Sequence, residues 1–155
     1  MKNKYILSNL FFWIVSLGVV AQDEIFKSYE NQKDVTSVYV SAKKIQLFSP
    51  SIMDMDGMNL EDKVDLIDGI YILTVSEGET LDAFRRDLNN MLDVDYELLM
   101  QVNEEDEQVN FYIIQEKDQI SELLMVVDES DSCVMIRIKG RFTLQDIQAI
   151  TEGVS

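Results

Sequence analysis

Four β-prone runs follow one another in the last 60 residues, at 96–102, 109–114, 120–127 and 134–138, separated only by short acidic turns. Parallel pairing needs a crossover of a dozen or more residues, and none of these gaps supplies one, so the four strands must form an antiparallel meander. Val109, Phe111 and Ile113 alternate with Gln108, Asn110 and Tyr112, which gives one buried and one partly wet face. The run 120–127 is apolar on both faces except at Ser121 and Glu122, the pattern of a central strand. In the last run Val134, Ile136 and Ile138 point one way, and Cys133, Met135, Arg137 and Lys139 the other. Two earlier runs, 35–40 and 70–75, are equally rich in β-branched and aromatic residues. The expected fold is α+β: a largely antiparallel sheet of about six strands, ending in the meander, with helices covering one face.

The helices have their own signals. Leu81, Phe84, Leu88, Met91 and Leu92 recur at helical spacing behind Ser76-x-x-Glu79, a capping-box pattern. Thr143 is placed to cap a C-terminal helix, with Asp146 at the third helical position near the positive dipole end and Phe142 placed to staple against Ile147. Shorter helices are expected at 23–31, 42–48 and 60–67.

The N-terminus reads as an address. Lys2 and Lys4 precede a mostly apolar stretch from Tyr5 to Val20, and Val19 and Ala21 fit a small-residue cleavage site ahead of Gln22-Asp23-Glu24. About 16 residues is short of the ~20 that span a bilayer. Residues 1–21 are therefore expected to be a cleaved signal peptide and 22–155 a single α+β domain, exported, soluble, and periplasmic or secreted. After cleavage no stable membrane anchor is expected, since the residue directly after the site is Gln22 and not a cysteine that could take a lipid.

Charge and composition narrow the chemistry. The chain carries −16, and loss of the signal removes two lysines and no acid. Its four arginines, Arg85, Arg86, Arg137 and Arg141, are too few and too dispersed to neutralise a phosphate backbone, which excludes nucleic acid as a partner. Histidine is absent, so Ser-His-Asp, Cys-His and zincin arrangements cannot be built within the chain. Cys133 has no partner in the chain and reads as a small strand residue. No catalytic residue and no cofactor is implied.

From Val35 onward the chain resembles a family of small exported proteins of Bacteroidota-type bacteria, domain of unknown function 4252. The likeness lies in residues 35–40, in Ile120-Ser-Glu-Leu-Leu-Met-Val-Val-Asp128 and in Ile138-Lys-Gly-Arg-Phe-Thr-Leu-Gln-Asp-Ile147. The resemblance implies export and one domain; it brings no activity and no site residues.

Two stretches could carry chemistry. A meander places alternate loops at one end, so Glu104, Glu105, Asp106 and Glu107 should sit beside Asp128, Glu129 and Asp131 as an acidic rim. Such a rim reads as solvated turns, as a loose Ca²⁺ site, or as a docking surface for a basic partner. The second stretch holds Met53, Met55 and Met58, soft ligands of the kind Cu(I) takes, although methionines also fill gaps as an adaptable loop packed over a sheet. Asp54, Asp56, Gly57 and Asn59 have the make-up of a calcium loop, but placing Gly57 at the sixth position puts Ile52 first and Lys63 twelfth, which fails. The leading expectation is a non-catalytic binding or regulatory module that contacts an envelope protein, through the acidic rim or an uncovered sheet edge. The alternatives are weak calcium or copper binding, or a hydrolase or lyase run on two carboxylates roughly 5–10 Å apart in a pocket.

Overall fold

The computed structural model describes residues 17–47, 54–55 and 57–154. In chain order these form α1 (Leu17–Tyr29), β1 (Val35–Ser41), α2 (Ala42–Ile45), β2 (Asp54–Met55), β3 (Met58–Asn59), a 3-10 segment (Glu61–Leu66), β4 (Ile67–Ser76), α3 (Glu79–Asp95), β5 (Glu97–Asn103), β6 (Glu107–Glu116), β7 (Gln119–Glu129), β8 (Ser132–Phe142) and α4 (Leu144–Thr151). Six strands make one sheet in the order β1-β4-β8-β7-β6-β5, every pair antiparallel. The α+β class and the C-terminal meander follow the sequence pattern, and β7, apolar on both faces, lies inside the sheet.

Helical cover lies on both faces rather than one. Leu73, Val75, Leu124, Val126, Cys133 and Met135 point to the first face and pack with Ile25, Phe26 and Tyr29 of α1 and Leu81, Phe84, Leu88, Met91 and Leu92 of α3. Ile70, Phe111, Ile113, Leu123, Met125, Ile136 and Ile138 point to the second, against Ile45, Met58, Leu60, Ile147 and Ile150. Alternation along the strands leaves apolar positions on both faces, and one layer of helices cannot cover them.

Local signals were followed unevenly. Thr143 and Asp146 form the full capping box of α4, and Phe142 and Ile147 are buried in one cluster. At α3 the box is not used: Ser76 is the last residue of β4, and the helix is capped by Gly78 at φ +96° with no side-chain bond. That left-handed backbone is open to glycine at little cost. α1 begins before residue 23, α2 stops at Ile45, and the segment expected at 60–67 is a 3-10 turn. The β2–β3 hairpin turns at Gly57 (φ +82°), where an added Cβ would lie 2.9 Å from the Gly153 carbonyl oxygen. That close approach fits the hairpin beneath the end of α4.

Candidate functional site

The meander does bring the two acidic loops to one end. The β5–β6 turn closes by Glu104 N–H to the Glu107 carbonyl at 2.8 Å, and Glu107 lies directly opposite Glu129. Strand alternation then divides the acids. Asp128 faces the α3 side, where Arg85 binds its Oδ1 from Nε at 2.9 Å and Nη2 at 2.7 Å; Arg85 also donates to the Glu129 carbonyl. Glu104, Glu107 and Glu129 border a cup on the other side, about 300 Å³, lined by Val102, Val109, Met125, Val127, Val134 and Val154. Glu105, Asp106 and Asp131 are exposed on the turns. Among the described residues no three acidic or cysteine side chains are grouped to hold a metal ion.

Met58 is fully buried in the second-face core, and Met55 lies opposite it in the β2–β3 pair. Met53 and Asp56 lie outside the described residues.

A buried ionic network on the first face was not anticipated. Glu122 and Arg137, only 3 % and 1 % exposed, sit on neighbouring strands and are ion-paired through Glu122 Oε1. The Tyr96 hydroxyl donates to the same oxygen at 2.8 Å. Arg137 Nη2 also reaches Asp23 of α1 at 3.0 Å, and Lys139 Nζ reaches it at 3.2 Å. The Tyr71 ring lies 5.3 Å from the Arg137 guanidinium carbon and 5.6 Å from Lys139 Nζ, within cation–π range. Partial burial pushes the Asp23 carboxyl up, but Lys139 and Arg137 together outweigh it and hold it below 3.8. The only sequence signal was a charge interrupting each of two apolar strands; their meeting depends on a register invisible in either strand alone.

Between α1 and α3 runs a cleft of about 330 Å³, lined by Glu24, Ile25, Ser28 and Tyr29 from one helix and Asp87, Asn90, Met91, Val94 and Asp95 from the other. The Tyr29 hydroxyl donates to Asp87 Oδ2 at 2.6 Å; burial and then that carboxylate push the phenol to about 12. Val94 is 80 % exposed. The two edge strands differ. β5 carries a bulge between Leu98 and Met100, whereas β1 keeps unbroken register with β4 over all seven residues and exposes Val38 and Tyr39.

A family model described as a domain of unknown function (DUF4252) matches residues 29–150, and the chain belongs to that family. No curated protein and no solved structure matches it.

Proposed function

We propose that this protein is an exported, non-catalytic binding or regulatory module, and that its partner is an envelope protein whose β-prone, basic segment adds a strand to β1. The outer edge of β1, unpaired among the described residues, carries this reading. Edge strands are ordinarily blunted by charge, proline or a bulge. β1, Val-Thr-Ser-Val-Tyr-Val-Ser, has none of these, and Val38 and Tyr39 are 42 % and 55 % exposed. Strand addition draws affinity from main-chain hydrogen bonds and specificity from alternate side chains. The chain's charge of −16 favours a basic partner.

Export is supported by the Lys2/Lys4, apolar and small-residue pattern of the N-terminus. No described helix is long and apolar enough to cross a membrane. Cleavage after Ala21 would retain Asp23, Ile25, Phe26 and Tyr29, the residues by which α1 is held to the sheet. N-terminal sequencing of the exported form should begin at Gln22. Cross-linked capture from the envelope should return a partner with the native protein and at least tenfold less with Val38→Lys, whose melting temperature should be nearly unchanged. Undiminished capture by Val38→Lys overturns the edge assignment, and capture of nothing at native abundance overturns the module.

A further inference from the structure

We infer that the cleft between α1 and α3 is a docking groove for a basic amphipathic helix of a partner protein. The inference rests on the protein-contact reading but not on the β1 edge. Helix α3 supplies the first observation. Its apolar positions Leu81, Phe84, Leu88, Met91 and Leu92 are all buried against the sheet, as a helix on a core requires. Val94 is apolar as well, yet it faces the cleft at 80 % exposure, so it adds nothing to that core. It continues an apolar floor made by Ile25 and Met91.

Charge supplies the second. Glu24, Asp87 and Asp95 rim the floor from both helices, and among the described residues no lysine or arginine lines it; Arg86, near Tyr29, lies outside the lining. A floor of this kind takes apolar anchors spaced i, i+3, i+4, and the rim favours Lys or Arg beside them. The volume, about 330 Å³, is at the low end for ligand clefts and suits a few inserted side chains. A second copy of this chain is a poor occupant, because each copy carries −16 and its amphipathic helix α3 is already turned onto its own sheet.

The test uses two synthetic helical peptides with leucines at i, i+3, i+4 and i+7, one filled with Lys and one with Glu, titrated into the exported protein and followed by amide NMR shifts. The Lys peptide should bind at least tenfold more tightly than the Glu peptide, shifting Ile25, Ser28, Asn90, Met91 and Val94. Val94→Lys, at an exposed site, should weaken it at least tenfold. Glu105→Gln, an equal change in charge on the distant turn, should leave it within twofold. Equal weakening by both variants, or shifts centred on 104–107, would reduce the binding to general charge attraction and overturn the groove. Absence of binding also overturns it, without touching the β1 reading, which Val38→Lys tests separately. Self-association lost in Val94→Lys would assign the groove to a second copy instead and overturn the heterologous partner.

Discussion

Glu122 and Arg137 show how much a single buried charge depends on its neighbour. Removing either from water costs several kcal/mol, offset here by the ion pair, the Tyr96 hydroxyl and Asp23. Burial works against the Arg137 charge, but Glu122, Tyr96 and Asp23 more than restore it, so the guanidinium stays protonated. Burial and the Glu122 charge drive the Tyr96 phenol upward, so it remains a donor. Arg137→Met should therefore strand a carboxylate and cost about 3–5 kcal/mol in urea unfolding. Glu122→Leu combined with Arg137→Met should recover most of that loss, because no charge is then left unpaired; a double variant no better than the single would place the cost in packing instead. Cys133 is governed by the same physics. It is fully buried, and burial, then the Asp128 charge, push its thiol to about 12. A thiol reagent at pH 8 should leave the folded protein unlabelled and react fully in guanidinium, with no disulfide dimer on a non-reducing gel.

Elements were legible where their signals are local. The cap at Thr143, with Asp146 in the first turn, is local and legible, and the structure adds the return bond that completes a capping box; the box expected at Ser76 and Glu79 does not form, because pairing of Ser76 with Ser132 keeps it in the strand. The meander was readable because short acidic turns leave no other connection, whereas the placing of β4 between β1 and β8 rests on contacts far apart in sequence. Two-sided cover was written in β8, whose Cys133 and Met135 are as apolar as Val134 and Ile136, but Arg137 and Lys139 disguised that face as solvent. The site was less legible still: the Asp23 contacts span more than a hundred residues, and the α1–α3 cleft exists only once both helices dock. The α4 cap gives a test at this scale. Thr143→Ala should cost about 1 kcal/mol. The Thr143 backbone N–H, then Lys63, hold the Asp146 carboxyl below 3.8. Its stabilisation is thus present above the unfolded carboxylate value and lost as pH falls through the lower folded one. Asp146→Asn should destabilise at pH 7, and the gap to the native protein should close in acid.

On the scale of the whole molecule, 29 acids against 13 basic residues make self-repulsion a general load on the folded state. Salt should relieve it, with a Debye length of ~8 Å at physiological ionic strength. The sheet determines how that relief is distributed. Asp128 is already matched by Arg85, while Glu104, Glu105 and Asp106 crowd a single turn. Glu104→Gln, Glu105→Gln and Asp106→Asn together should therefore raise the low-salt melting temperature and flatten its rise with NaCl. Asp128→Asn should lower it, because it releases Arg85 from α3's tie to β7. Calcium chloride at matched ionic strength should stabilise no more than sodium chloride, since the division of acids between two faces prevents the convergence of six or more oxygens that Ca²⁺ requires. A larger response to calcium, lost in the triple variant, would mean that the turn closes around a cation and that the rim is a binding site in its own right.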